Sequence, residues 1–532
     1  MSNFLQQFFS RTTAYVLLAL LLTHVLAAVV QHTVWVWIPL GLIGLGTLAL
    51  SYKRLDLGLA VAFLEIFIGG HGHLFDVDVA GFSVSVRQVI FGAVMLAWAA
   101  QVTFVKLKPQ FIAHRDWPLA IIASAILLGT VIGFATNDVQ AAFDDMNSYL
   151  LLAYVLPMIS VTWTVERKRL LLQTLAVAAV WISLTTLLYL YGFTHLPGLL
   201  SHELYTFVRD ARLAEVTLQT SGRGISLLGQ QPWYFRVFQQ SQAIALIFEL
   251  VLVAGSLALW REAQEKLPKW LWALHVLGVA TIIASLSRSF WLGGIAAFLL
   301  ILGYLALTRF KVVMIVKRHV QFAVVLVISV VALWLLVAIP LPPRPDLSDS
   351  SFYRGPDDSS REVAVSSRWN LLGPMVLEIK QHPLLGSGFG ETVTFISDDP
   401  RLRAVDPTGA VTAYRFEWGY HDVWLKMGIL GLMGYLWFLV TTLTVTLEAV
   451  RNRDEQAWLM IGLTAGTLML YVAHIFSPYL NHPIGLGYLI FTLPFLPWAQ
   501  SPSSTATAHK TVHAAPFSLA KAKTSVAYKQ TG

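Results

Sequence analysis

Four arginines, far apart in the sequence, are the residues best suited to bind an anionic substrate. Arg87, Arg236, Arg288 and Arg368 each lie beside an apolar run or in a long polar connection. A guanidinium group is a planar fork that binds two phosphate oxygens at once, and an arginine near hydrocarbon usually has a specific partner. Arg288 separates two apolar runs, and no acidic residue lies within twenty positions of it. We interpret the four as candidate phosphate ligands, with local carboxylates or lipid headgroups as the alternative partners of each.

His421 is the residue best placed for proton transfer, because imidazole exchanges a proton near neutral pH. It precedes Asp422 at the start of an apolar run. The alternative is that His421 is only a polar anchor at a membrane surface. Asp422, Glu249 and His474 are further candidates, Glu249 because a carboxylate inside an apolar run usually has a function. His474 and His482 flank the last outer turn and could line the same cavity. Glu249 has a simpler alternative, which is pairing with one of the arginines.

Three glycines predict a tight turn in the polar connection that precedes His421. Gly386, Gly388 and Gly390 alternate with other residues, and glycine adopts backbone conformations that other residues avoid. Such a turn either exposes amide groups to a phosphate or brings the connection close to the membrane.

One polar loop has the spacing of a divalent-cation site. His71 and His73 are followed by Asp76 and Asp78, and such side chains ligate metals. Short polar loops often contain these residues without a metal, and we expect none here. Phosphate-loop, dinucleotide and zinc signatures are also absent from the sequence. The sequence therefore predicts neither a metal centre nor a cofactor.

The composition predicts a membrane protein. Of the 532 residues, 56% are hydrophobic and 13% are charged, and the mean hydropathy is +0.64. A soluble protein has about 25% charged residues. Apolar runs of about 20 residues, the length that spans a bilayer, recur along the chain. We predict an all-α, polytopic membrane protein with about 12–14 transmembrane helices and a large, partly helical outer loop.

The apolar runs and polar stretches define four regions. These are a first helical bundle (1–340) with an outer loop at 193–236, a large outer loop (341–421), a second group of membrane helices (422–500) and a disordered cytoplasmic tail (501–532). The candidate spans are 14–30, 34–51, 56–70, 86–105, 117–136, 149–165, 170–192, 237–260, 270–287, 289–308, 320–340, 422–447, 456–476 and 483–499.

The charge distribution predicts the orientation of these spans. With the N-terminus in the cytoplasm, every short inner connection contains Lys or Arg, as the positive-inside rule requires. Both termini are then cytoplasmic. The two long connections that contain Arg236, Arg368 and His421 lie on the outer face.

Together, these motifs resemble the O-antigen ligase and polymerase superfamily of bacterial membrane glycosyltransferases. The resemblance depends on the order of three segments, which are Ser287-Arg288-Ser289, Arg368-Trp369 followed by the glycine turn, and His421 before Leu425-Lys426-Met427-Gly428-Ile429-Leu430-Gly431. The stretch around Arg236 also looks like the arginine-bearing entry to the preceding helix of that family. Asp422 stands where the family tract usually has Asn.

The resemblance implies a protein of the bacterial cytoplasmic membrane that transfers a glycan from an undecaprenyl-pyrophosphate carrier to an acceptor sugar. The reaction would need no metal and no nucleotide. Arg236, Arg288 and Arg368 would bind the donor pyrophosphate, and His421 would activate the acceptor hydroxyl. Partners would be the carrier-linked glycan, an acceptor glycan or lipid, and membrane lipids, without nucleic acid. Ligase and polymerase activity both remain open, and the alternatives are a lipid-linked glycan flippase without chemistry or a protein O-oligosaccharyltransferase.

Overall fold

The fold is that of a helical bundle, seen in a computed structural model of the chain. The structure describes residues 6–79, 82–196, 198–220, 233–263, 268–307, 312–339, 358–398, 403 and 406–496. The tail predicted at 501–532 and the start of the large loop lie outside the described residues. The helices, in chain order, are α1 (Arg11–Val30), α2 (Trp37–Lys53), α3 (Leu55–Ile68), α4 (Val86–Ala100), α5 (Ala113–Thr136), α6 (Val139–Met146), α7 (Val155–Ser160), α8 (Val165–His195), α9 (Gly198–Asp210), α10 (Gln242–Ala263), α11 (Lys269–Ser285), α12 (Arg288–Leu307), α13 (Val312–Ala338), α14 (Asp358–Gln381), α15 (Gly419–Arg451), α16 (Ala457–Ala473) and α17 (Pro483–Thr492).

The predicted polytopic helical membrane fold is confirmed. In the described part of the chain, eight helices are long and apolar enough to cross a membrane, and four further apolar helices have 10–17 residues. Large apolar side chains remain exposed on the outer helices, such as Leu22 of α1 and Val327 of α13, both 61% exposed. Water would disfavour so much apolar surface, whereas lipid covers it without penalty.

The predicted sixth span (149–165) is not one regular helix. Its residues form a 3₁₀ helix (Asn147–Tyr154) and then the short helix α7. Pro157, which has no amide hydrogen to donate, lies inside α7. The backbone amide of Gln110 donates a hydrogen bond to the carbonyl of Ile159 (2.9 Å), so the end of α7 lies beside the connection between α4 and α5.

In the described residues, three antiparallel hairpins interrupt the helices, and the sequence did not predict them. They consist of β1 (Asp76–Val79) with β2 (Phe82–Ser85), β3 (Glu215–Thr220) with β4 (Trp233–Phe238), and β5 (Val393–Ile396) with β6 (Ala410–Ala413). Each lies in a connection that was predicted to face outward. We call the end of the bundle that carries them the hairpin end.

Glycines allow the central helices to approach closely. A Cβ atom at Gly462 of α16 would lie 2.6 Å from the Cα of Val251 in α10, and one at Gly293 of α12 would lie 2.7 Å from the carbonyl oxygen of Met469 in α16. Small residues permit such packing in membrane bundles. This packing holds the first residue of α12, which is Arg288, near the turn that follows α16.

Candidate active site

A cavity of about 810 Å³ lies at the hairpin end of the bundle. Its wall combines cationic, acidic and aromatic side chains from six separate stretches of the sequence. The described lining residues are Glu215, Arg236, Phe238, Gln240, Leu286, Ser287, Arg288, Ser289, Leu292, Arg368, Trp369, Glu417, Trp418, Phe476, Ser477, Pro478, Tyr479 and His482. Three of the four arginines singled out from the sequence are therefore brought together.

Arg236 reaches the cavity from strand β4 rather than from a helix. Its Nε donates a hydrogen bond to the carbonyl oxygen of Ser285 (2.8 Å), which ties the strand to the end of α11. The guanidinium lies over the ring of Phe238, 4.7 Å from the centroid, a favourable cation–π geometry. Glu215 on the paired strand lies 4.0 Å away. These contacts fix the direction of the Arg236 side chain.

Arg288 is the first residue of α12, where backbone amides and the helix dipole also attract anions. The turn before it contains Leu286 in the left-handed region (φ 48°), an unusual conformation for a branched apolar side chain. The Arg288 side chain is exposed to the cavity. Among the described residues, no carboxylate lies within ion-pair distance of it. Arg288 is therefore the cavity arginine most readily available to a ligand.

Arg368 lies on α14 and forms an ion pair with Glu417 through its Nε. Burial lowers the pKa of the Arg368 guanidinium from its ordinary value, Glu215 raises it, and the nearby charge of Arg288 lowers it. An arginine stays protonated despite such changes. The indole Nε1 of Trp418 donates to the carbonyl oxygen of Arg368 (2.8 Å), which fixes the backbone at this point.

His421 lies in the first turn of α15 and is half-buried. It does not line the cavity, but its ring is 6.1 Å from that of Trp418, which does. The imidazole thus lies beside an aromatic ring that lines the cavity.

A buried ionic network holds the start of α15 in place. The Nζ of Lys426 lies 2.7 Å from Oδ1 of Asp145 and 2.5 Å from Oδ1 of Asp422. Asn481 donates from Nδ2 to Oδ2 of Asp422 (2.5 Å). Asp422, a predicted site residue, therefore faces away from the cavity into this network. Its position next to His421 means that the network also positions the histidine.

The glycine turn docks on the bundle instead of cradling a phosphate. The amides of Ser387, Phe389 and Gly390 donate to Leu425 O (2.7 Å), Gly129 O (3.0 Å) and Asp145 Oδ2 (3.0 Å) respectively. All three glycines have positive φ values, between 78° and 84°. A Cβ atom at Gly388 would lie 2.4 Å from a backbone nitrogen of α5. Of the two predicted roles, the structure therefore supports close approach to the membrane helices.

Besides His421 and Asp422, three more predicted site residues lie outside the cavity lining. Arg87 forms an ion pair with Glu65 (Nε to Oε2, 2.9 Å), which is the simpler alternative considered for it. Glu249 also has a structural partner, but it is His275 of α11 (2.6 Å) and not an arginine. His474 is fully buried and accepts a hydrogen bond at Nδ1 from the amide of Leu480 (3.1 Å). It shapes the turn before α17.

In the candidate cation loop, His73 contacts neighbouring protein side chains. His73 pairs with Asp76 through Nδ1 (3.0 Å), and its Nε2 lies 3.3 Å from Nη1 of Arg212. Within the described part of the chain, no group of three or more His, Asp or Glu side chains could hold a metal ion.

Sequence reasoning missed Glu215 and Glu417. Of the two histidines that it placed beside the last outer turn, His482 does line the cavity and His474 does not. The Nδ1 of His482 accepts a hydrogen bond from the amide of Ile484 (3.2 Å), and among the described residues Nε2 has no partner. Burial lowers the pKa of His482 well below its ordinary value, and His71 and Arg87 act in the same direction. His482 therefore lines the cavity as a neutral side chain.

The fold and the cavity together define a polytopic helical membrane protein with a cationic, aromatic-lined site at one end of the bundle. Residues 272–436 match the family model described as O-antigen ligase. This segment contains Arg288, Arg368 and His421, and the match supports the predicted resemblance to the O-antigen ligase and polymerase superfamily. The match begins after Arg236. No curated protein and no solved structure matches the chain.

Proposed function

We propose that this protein is a membrane glycosyltransferase of the O-antigen ligase or repeat-unit polymerase type. It moves a glycan from an undecaprenyl-pyrophosphate carrier to an acceptor sugar at the outer face of the bacterial cytoplasmic membrane. The observation that carries this proposal is the meeting of Arg236, Arg288 and Arg368 in one cavity. These arginines come from a strand and two helices that are far apart in the sequence.

The arginines suit a pyrophosphate group because each offers a fork of charge-assisted hydrogen bonds. Negative charge develops on the pyrophosphate as the glycosidic bond breaks. Cationic groups that are already in place stabilise this charge without reorganising. The phosphate leaving group then needs neither a general acid nor a metal ion.

The transfer step requires one proton acceptor. The hydroxyl oxygen of the acceptor sugar bonds to the anomeric carbon of the donor glycan, while the bond from that carbon to the pyrophosphate oxygen breaks. The carrier leaves as the pyrophosphate, and the hydroxyl proton passes to His421. The position of His421 beside Trp418, at the edge of the cavity, supports this role.

The experiment measures donor binding and transfer separately for two variants. We expect His421→Ala to lower the transfer rate by about a hundredfold to ten-thousandfold, the usual contribution of a general base, with little change in donor affinity. Arg288→Ala should lower both. Arg403→Ala is the control, because Arg403 is an exposed arginine that pairs with Asp398 and does not line the cavity.

Two results would contradict the proposal. If the purified protein binds the carrier-linked glycan but never releases carrier pyrophosphate, a flippase is the better interpretation. If His421→Ala weakens donor binding as severely as Arg288→Ala, then His421 is a donor ligand or a structural anchor.

A further inference from the structure

An exposed aromatic surface adjoins the arginines in the cavity. Trp369, Trp418 and Phe476 all line the cavity, and we call these three residues the aromatic wall. The rings of Trp369 and Trp418 pack edge-to-face with their centroids 4.9 Å apart, and Phe476 lies 5.8 Å from Trp418. Trp418 is buried, whereas Trp369 is 57% exposed and Phe476 is 39% exposed. The wall therefore presents free aromatic area to whatever enters the cavity.

The orientation of this area is fixed by the structure behind it. Trp418 is held by the hydrogen bond from its indole to the backbone of Arg368. Trp369 directly follows Arg368 on α14 and rests on the buried Trp418 ring. A rigid aromatic surface costs little conformational entropy when a ligand binds to it.

The chemistry beside the wall matches a sugar ring. A pyranose has an apolar face of C–H groups, which packs on an aromatic face, and a rim of hydroxyls, which needs hydrogen-bonding groups. Glu417 directly precedes Trp418 and lines the same cavity, and its carboxylate is a hydrogen-bond acceptor for hydroxyls. Ligand sites generally combine aromatic area with a few polar groups in this way.

The position of His421 indicates which sugar the wall would hold. His421 lies in the first turn of α15 beside Trp418, which lines the cavity just before this helix begins. Arg236 and Arg288 are held at the junction of α11 and α12. If His421 takes the proton of the acceptor hydroxyl, then the sugar on the wall is the acceptor.

We propose that the aromatic wall is the acceptor subsite and that the acceptor sugar stacks on Trp369. This inference rests on the proposed function, because it uses the division between donor and acceptor made there. Trp369 acts as a binding and positioning residue without exchanging protons. The rival explanation for an exposed tryptophan in a membrane protein is anchoring at the lipid interface.

The test uses the full chain in lipid nanodiscs and a probe without carrier or lipid. The probe is the free glycan released by mild acid from the surface polysaccharide of the host cell, and its affinity is measured by calorimetry. We expect Trp369→Ala to weaken glycan binding by about tenfold, as loss of an aromatic stacking partner does. Trp369→Phe should retain most of the affinity. In transfer assays, Trp369→Ala should raise the KM for acceptor and leave that for donor unchanged.

Trp437→Ala is the matched control, since Trp437 is a similarly exposed tryptophan (44%) further along α15 and does not line the cavity. The proposal is overturned if the native protein binds no free glycan, if Trp369→Ala binds it as well as the native protein does, or if Trp437→Ala weakens binding equally. The binding measurement needs no donor, so it tests the sugar-binding site independently of the reaction. If the protein binds free glycan but transfers none, the proposed function is contradicted, whereas sugar binding at the aromatic wall is still supported.

Discussion

Arg288 differs from the other arginines of the cavity because, within the described chain, no carboxylate neutralises it. Its guanidinium is therefore available to a ligand without breaking an ion pair. We expect Arg288→Lys to be nearly as harmful as Arg288→Ala, because lysine keeps the charge but loses the planar fork. Each variant should lower the transfer rate by about tenfold to a hundredfold, the effect of losing charge-assisted hydrogen bonds. Steady-state transfer kinetics check this. An Arg288→Lys protein with nearly full activity would mean that only charge matters at this position.

Glu417 forms an ion pair with Arg368, so it competes with an anion that enters the cavity. We expect Glu417→Gln to bind inorganic pyrophosphate about two- to fivefold more tightly, because exposed ion pairs are worth only about 0.2–1 kcal/mol. Calorimetric titration of the purified protein measures this change. Asp398→Asn is the control, since Asp398 pairs with Arg403 away from the cavity. Unchanged or weaker binding in Glu417→Gln would show that the carboxylate does not compete for the anion.

Three of the four arginines that the sequence singles out line one cavity, but the sequence does not predict which residues they contact. Arg236 and Arg288 are recognisable because each adjoins an apolar run, where an unpaired charge is unfavourable. The partner of Arg236 depends on strand register, which places Thr217 opposite it and Glu215 two residues further along. A strand of six residues gives too short an alternation of polar and apolar residues to be recognised in one sequence.

At the scale of elements, the ionic network of Lys426 joins three parts of the fold. Asp145 belongs to α6, Asp422 and Lys426 to the first turns of α15, and Gly390 of the docked turn donates to Asp145. Helix α15 is kinked at Gly428, which has a positive φ of 63°. A Cβ atom there would lie 2.2 Å from the carbonyl oxygen of Leu384. The kink in α15 and the glycine turn therefore pack against each other, close to the end of the helix that carries His421.

Removing the cation from this network should destabilise the protein strongly. Lys426, Asp422 and Asp145 are 1%, 2% and 7% exposed, so Lys426→Met would leave two carboxylates buried without a cation. Breaking a buried ion pair in this way costs about 3–5 kcal/mol. We expect a lower midpoint of thermal unfolding in nanodiscs for Lys426→Met and no change for Lys380→Met, an exposed lysine of α14.

Neutralising the partners provides the internal check. Adding Asp145→Asn and Asp422→Asn to Lys426→Met should recover part of the lost stability, because no buried charge then remains unpaired. If Lys426→Met unfolds at the native midpoint, the network does not stabilise the packing of the glycine turn against α15.

The pairing of Asp422 with Lys426 can be recognised in the sequence as a helical i, i+4 spacing. The pairing with Asp145 cannot, because Asp145 lies 281 positions from Lys426.

For the whole molecule, the orientation in the membrane decides whether the cavity can meet a glycan at the outer face. The inner connections are rich in Lys and Arg, which predicts that the hairpin end faces outward. Arg236 and Arg368 of the cavity come from the two long connections, and long connections cross the membrane largely regardless of their charge. Arg288 is a single arginine at the short connection between α11 and α12. The arginines of the cavity therefore do not contradict this orientation.

The sequence contains no cysteine, so a single introduced thiol reports on one position only. Ala410 in β6, at the hairpin end, and Asn452, in the turn between α15 and α16, are both exposed and lie beyond opposite ends of α15. We expect Ala410→Cys to react with a small charged maleimide in intact spheroplasts, and Asn452→Cys to react only after the membrane is permeabilised. The unmodified chain, which has no thiol, is the control for background labelling. The reverse pattern would place the arginine cavity in the cytoplasm, where an acceptor at the outer face could not reach it, and would contradict the proposed transfer reaction.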